Sequence, residues 1–484
     1  MRYEKSAVAE SQHPTLSTQH SALSTFDKTV LLVIAVLLAG IGLTVLLGDH
    51  VGVTLVQAGP LEVARSTSPI VIQFSEDMKR DTVTERLRIE PAVEGEFSWS
   101  GRTMIFRPAQ ALEPGQDYTV VLEPNAESET GRKVLAEYRF SFRVRTPLVA
   151  YLAPADSAPQ NIWMVDPAQP ASARQVTFSP SGVFDYGISP DGTRIAFSER
   201  NTGTGTSDLK LLDLETGALQ QLTNCVDSDC TTPVWRPDGR MIAYQRVDYN
   251  SDLTNVGVSP TRVWLVDLTT TPASTRPLFA DSQVLGHTPQ WSADGSRIMV
   301  FDVASQGIVV YDFTTDDIAL IPSRYGSTGA LSPDGTRLVF PELIFDGSQA
   351  RSHLQIADLT TREFSALTPT EEPIDDDMAA WHPDGQRIAI ARRYLDDRWT
   401  RGRQIYLLNV ENGSVEPLVV DGQYANGWFS WDPNGRQLVI QRFPELDASG
   451  QPNSAGQAEI WTYDLASGEL KRVAVNGFFP RWLP

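Results

Sequence analysis

The chain has 484 residues, enough for two or three domains, and its apolar content of 41% is ordinary for packed globular protein. Against 40 basic side chains stand 60 acidic ones, a formal charge of −20. That balance argues against nucleic-acid binding, which needs clustered basic surface, and favours solubility and cationic partners.

The first 28 residues carry three bases (Arg2, Lys5, Lys28) and three acids (Glu4, Glu10, Asp27), so the whole −20 belongs to residues 29–484. Residues 6–25 are rich in Ser, Thr, Gln and His and read as a disordered tail over 1–28. Residues 29–48, "TVLLVIAVLLAGIGLTVLLG", carry no charge. Twenty helical residues rise about 30 Å, the thickness of a bilayer core, so the stretch predicts one transmembrane helix. A cleaved signal peptide is the competing reading, but its apolar core would be long and the "VQA" at 56–58 lies far from it. Lys and Arg gather before the span, and only Arg65 lies in the stretch just after it. This bias predicts a single-pass cell-membrane protein with a cytoplasmic N-terminus and extracytoplasmic C-terminal domains.

Residues 60–146 hold short alternating runs, "IVIQFS", "RTMIFRP", "DYTVVLEP" and "YRFSFRV", separated by turn residues. The pattern predicts a β-sandwich. Through "IQFSEDM", "MIFRP", "LEPGQDYTV" and "FSFRV", with Phe74, Met78, Phe106, Pro114, Gly115, Tyr118, Phe140 and Phe142, it resembles the SbsA-type bacterial Ig-like domain. The resemblance implies a surface spacer or adhesive module and no catalytic residue.

From 147 to 484 the chain repeats. "ISPDGTRIAF" (188–197) recurs from residues 235, 291, 331, 381 and 431, with turn Asp or Asn at 191, 238, 294, 334, 384 and 434. Spacings of 40 to 56 residues with β-type runs are those of propeller blades. Pro presets φ, Gly accepts positive φ, and the Asp is expected to accept local backbone N–H bonds. Asn434 is expected to serve the same turn chemistry. The unit resembles the TolB-type β-propeller repeat, which implies protein partners at the propeller mouth. Seven "WLVDL"-like third strands occur against six Pro-Asp-Gly units, and the first lacks an inner strand ahead of it. The terminal "FPRW" aligns with "TPVW" and "TPQW", so Trp482 is expected to supply the missing strand and close a seven-bladed ring, with six blades as the alternative. The fold class is thus all-β: a propeller plus an Ig-like sandwich behind one N-terminal helix.

Chemistry is sparse. There is no G-x-S-x-G, H-E-x-x-H, P-loop or dinucleotide fingerprint, and no cofactor or metal is expected. The acidic runs at 227–229 and 375–377 read as solvated loops, with calcium as the alternative. His382 reads as surface variation in a repeat turn. Cys225 and Cys230 in "CVDSDC" are expected to pair in an exported domain. The connections between second and third strands vary in length and content, so recognition is expected on their face. Counting back along the inner strands places Asp185, His287, Asp377, Trp428 and Phe479 around the channel mouth as candidate ligand-binding residues for a cationic or sugar-like ligand. Two function classes remain. One is a non-enzymatic, membrane-anchored envelope protein that binds a protein or polysaccharide, with no nucleic acid involved. The other is a propeller hydrolase or lyase acting on an envelope or extracellular polymer. The absence of catalytic motifs favours the first.

Overall fold

The computed structural model describes residues 24–48, 52–249, 257–280, 285–347, 349–447 and 449–484. The tail expected over residues 1–28 lies outside them except for its last five positions. Two compact units emerge. The first takes the chain up to Val56 with Phe74–Leu87 and Leu122–Tyr138; the second takes Gln57–Gln73, Arg88–Val121 and Arg139–Pro484.

Within the first unit, an apolar helix spans Thr25–Gly48, with Asp27 and Lys28 as its charged residues. It is long and apolar enough to cross a membrane. A short helix, Arg80–Thr84, buries Val83. Glu76 accepts from the Thr130 hydroxyl at 2.6 Å and from Arg132 at 2.7 Å, and these bonds hold its carboxyl below the usual range.

The Ig-like module carries two four-stranded sheets. One is ordered Leu55–Gly59, Ile70–Phe74, Thr103–Pro108, Gly95–Ser100; the other Glu62–Ala64, Tyr138–Val144, Asp117–Leu122, Leu87–Glu90. Ile70, Ile72 and Phe74 are buried while Val71 and Gln73 between them are not, the period of a strand with one face on a core. The strand at 55–59 brings the module's start upstream of residue 60.

The rest is a seven-bladed propeller. Its inner strands are Val183–Ile188, Ser228–Trp235, His287–Trp291, Ala330–Leu331, Ile374–Trp381 and Tyr424–Trp431 for blades 2 to 7, and Phe478–Leu483 for blade 1. The ring closes by antiparallel pairing of that last strand with Leu148–Ala153: Leu483 opposes Leu148, Trp482 opposes Val149 and Arg481 opposes Ala150. Side chains of a strand alternate between its two faces. Trp482 accordingly joins the apolar cluster with Val439 and Ile460 of blade 7, while Leu483 joins that with Tyr186 and Ile195 of blade 2. Closure pairs the edge of Leu148–Ala153 that would otherwise be open.

Candidate functional site

The Pro-Asp-Gly turns are structural, and their carboxylates are occupied. Asp191 accepts from the hydroxyls of Ser189 and Thr193 and from the Thr193 amide; Asp294 and Asp334 repeat the arrangement with Ser292 and Ser332. Blade 7 departs from it. There Asp432 caps the amides of Arg436 and Gln437, so Asn434 does not serve the turn as expected. Its side-chain amide donates instead to the carbonyls of Ala111 and Leu112 in the Ig-like module, at 3.0 and 3.1 Å. An Asp could not donate there, which explains the exchange. Within the same compact unit, Arg436 pairs with Glu113, Arg65 with Glu215 at 2.9 Å, and Arg145 donates to the Pro484 carbonyl at 2.7 Å.

The aligned Trp residues tie the blades together. The indole N–H of Trp235, Trp291, Trp381, Trp431 and Trp482 donates to the carbonyl of Gly187, Val234, Ala330, Ala380 and Ser430, each on the preceding inner strand. The two blades without this Trp use other bonds. The Tyr186 hydroxyl reaches the carbonyls of Ala150 and Phe479, and the Gln290 amide reaches the Gly329 carbonyl. A second belt links the turns: Arg194, Arg236, Arg297 and Arg337 each donate to the turn-glycine carbonyl of the next blade. His382 continues it. It is buried, contacts the Gly435 carbonyl at 2.9 Å through Nε2 and meets Trp431 edge-on. It is an inter-blade tie, not surface variation.

At the opposite face, most inner strands bulge before the Trp column. Thr232, Thr288 and Phe479 take positive φ at the same column. Their amides are captured by Asp185, Gln245 and Gln441 of the preceding blade. This corrects the expected role of Asp185. One of its oxygens accepts from Ser198 at 2.6 Å and the other from the Thr232 amide at 2.7 Å, so it splices blades instead of offering a free charge. Burial pushes its carboxyl up, and those hydrogen bonds oppose the push. His287 is half-buried with its ring 5.3 Å from Phe301, and burial lowers its basicity.

Asp377, Trp428 and Phe479 do come together. Trp428 meets Phe479 edge-on at 5.9 Å, and both are more than one-third exposed. Asp377 accepts from the Tyr325 hydroxyl and lies 3.3 Å from Arg403; burial first, then Asp377, pushes the Tyr325 phenol up. Neighbouring carboxylates are also engaged. Asp376 and Arg392 form a buried two-bond pair at 2.7 and 2.8 Å. Asp375 accepts from Ser352, Arg393 and Arg403. Burial pushes Asp375 up, but Arg403, Ser352 and Arg393 outweigh it and leave its pKa lowered. So 375–377 is a braced strand start, not a solvated loop. Among the described residues no group of His, Cys, Asp and Glu is placed to hold a metal.

Two hollows flank Trp428. One, about 370 Å³, lies between blades 6 and 7 against Asp377, Arg393, Arg401 and Arg403. The other, about 320 Å³, lies on the channel side against Ile188, Ser430 and Arg481. Arg481 is the residue that sequence reasoning passed over. Its guanidinium stands 5.2 Å from the Trp428 ring and 5.7 Å from that of Tyr186. The signal was available by column: the residue before the Trp column is Gly187, Val234, Gln290, Ala330, Ala380 and Ser430 elsewhere, and only here is it charged. Cys225 and Cys230 are bonded, with Cα atoms 6.3 Å apart, at the entry to blade 3.

No curated protein matches this chain. Among solved structures, it is similar to TolB from Acinetobacter baumannii at 15% identity, covering 75% of this chain and 98% of that one with a TM-score of 0.37. It is similar to oligogalacturonate lyase from Vibrio parahaemolyticus at 16%, covering 68% and 86% with a TM-score of 0.43. Likeness to Pyrococcus horikoshii acylaminoacyl peptidase is 16%, covering 68% of this chain and 52% of that one with a TM-score of 0.46. None of these likenesses speaks to activity. At the level of sequence families, residues 50–144 match the bacterial Ig-like domain.

Proposed function

We propose that this chain is a membrane-anchored, extracytoplasmic binding protein of the bacterial envelope, recognising its partner at the variable-loop mouth of a TolB-like propeller. The observation that carries the reading is the convergence of exposed Trp428 and Phe479 with Asp377, Arg403 and Arg481 around two hollows on a rigid ring. Exposed aromatics beside arginines are the residue types enriched where proteins bind one another. The apolar helix at Thr25–Gly48 and the basic bias before it support an anchor with the propeller outside. The mouth carboxylates each hold structural donors, which favours binding over acid–base chemistry.

Two measurements test this. Protease added to intact spheroplasts should degrade the large domains; clipping confined to residues 1–28 would invert the orientation. Asp377→Ala with Trp428→Ala should abolish recovery of a crosslinked partner from the native envelope, whereas two changes on the Pro-Asp-Gly face should not. Equal recovery from both variants would move the site elsewhere, the Ig-like module first.

A further inference from the structure

We infer that the hollows beside Trp428 form a carboxylate-binding site for an acidic peptide segment whose neighbouring side chains are apolar. This rests on the reading that partners dock at the mouth, and it reverses the expectation of a cationic ligand. The reversal comes from where the charges are committed. Asp185, Asp375, Asp376 and Asp377 all accept from residues of the chain itself. The guanidiniums are not all matched. Arg481 forms no ion pair with a carboxylate among the described residues, though its charge acts on buried Asp185, and its buried Nε has no acceptor. Stacked near Trp428 and Tyr186, it is held in place by rings that supply no acceptor. The Nε atoms of Arg393 and Arg403, across Trp428, are likewise buried without an acceptor. Arg401, half exposed at the rim, pairs only with Glu445 among the described residues. In a chain of net charge −20, the lining of these hollows is nonetheless arginine-rich: Arg393, Arg401 and Arg403 against Asp377 in the first, and Arg481 with no acid in the second. Partly desolvated arginine forks recognise carboxylates through short, charge-assisted bonds.

The lining favours a peptide over an acidic glycan. Sugar rings need several partners for their hydroxyls, and the neutral amide here, Asn426, is spent: its oxygen accepts from Arg442 and its nitrogen donates to the Arg403 carbonyl and to Gln404. What remains beside the arginines is Met378, Ala391, Ala425 and the Trp428 face, which suit apolar side chains. A volume of about 370 Å³ admits a side chain or two, not a folded element.

The test uses the full chain in detergent and fluorescence anisotropy with three probes: labelled acetyl-Glu-Phe-Glu-Phe-Glu, its Gln counterpart, and labelled oligogalacturonate. The Glu peptide should bind, with affinity falling as NaCl rises from about 50 to about 500 mM. The Gln peptide should bind at least about tenfold more weakly. Arg481→Gln should weaken the Glu peptide by about tenfold or more while leaving the Gln peptide unchanged, and the variant should still fold, because the Arg481 guanidinium makes no hydrogen bond to the described residues. Arg401→Gln should weaken it less, and Arg240→Gln, on the exposed Pro-Asp-Gly face, not at all. Equal binding of Glu and Gln peptides, or indifference to Arg481→Gln, overturns the inference. Tighter binding of oligogalacturonate than of the Glu peptide overturns it in favour of a glycan. If the Asp377/Trp428 double variant loses its native partner while the Glu peptide fails to bind, the mouth remains the docking site and the carboxylate inference falls. If the Glu peptide binds through Arg481 while native recovery ignores the double variant, the carboxylate site stands and the docking reading falls.

Discussion

Deletion of residues 478–484 removes the inner strand of blade 1 and should prevent the ring from forming. Trp482 is 8% exposed and Leu483 is 1% exposed. Truncating a buried Trp costs about 3–5 kcal/mol and a buried Leu about 2–5. The indole bond to the Ser430 carbonyl also goes, leaving a buried acceptor, a further cost of about 1–3 kcal/mol. Even discounted for overlap between neighbours, about 5–10 kcal/mol stands against a typical domain stability of about 5–15. The strand Leu148–Ala153 would also be left with an open edge, so aggregation accompanies the loss. Soluble yield and thermal melting by circular dichroism read the outcome. A milder probe, Trp482→Phe, keeps the strand and removes the indole donor, and should cost about what Trp381→Phe costs, because both make the same inter-blade bond. A deleted protein that is soluble and melts with the full chain would refute the closure argument outright.

Asn434→Asp, which restores the repeat consensus, should destabilise by about 1–3 kcal/mol in chemical denaturation, since a carboxylate would face the carbonyls of Ala111 and Leu112. In Asp191, Asp294 and Asp334 burial raises the pKa, but the Ser and Thr hydrogen bonds outweigh it and leave it below 3.8. A depressed folded pKa contributes stability that is present above 3.8 and lost as pH falls through the lower folded value. Melting temperature should therefore fall below about pH 4, and the triple Asp→Asn variant should show a shallower fall; an identical slope would contradict this. Reducing Cys225–Cys230, which closes a loop of sequence separation 5, should cost less than the ~3 kcal/mol of a 15-residue loop. Both thiols reacting with an alkylating reagent before reduction, in protein from the native envelope, would show that the bond does not form there.

The ring was legible because its repeat carries its own punctuation. Pro-Asp-Gly or a close variant marks the turn after six of the seven inner strands, and the Trp column let the terminal strand be aligned with strands hundreds of residues away. The mouth was less legible. Counting back from the Trp column finds which residues stand near the channel, but the bulges re-aim them, and only the structure shows that the Asp185 carboxylate is taken by the Thr232 amide. His382 looked like surface variation and Asn434 like an equivalent turn residue, because a repeat compares a residue with its own column. Their partners, Gly435 of the next blade and Ala111 of another module, lie outside that column. Arg481 was hidden by its neighbour: beside a Trp that defines the fold, the one charged residue in its column was read as part of the strand.

The closing strand also decides how the molecule bears load. A pull on the chain ahead of residue 148 arrives at Leu148–Ala153, which is the second strand of its blade, laddered on one edge to Phe478–Leu483 and on the other to Asn161–Asp166. A strand held on both edges resists along its whole length, and its bonds must fail together; an outermost strand would peel away one bond at a time. A tension applied ahead of residue 148 would thus enter the ring at a doubly paired strand, with Phe478–Leu483 sharing the load.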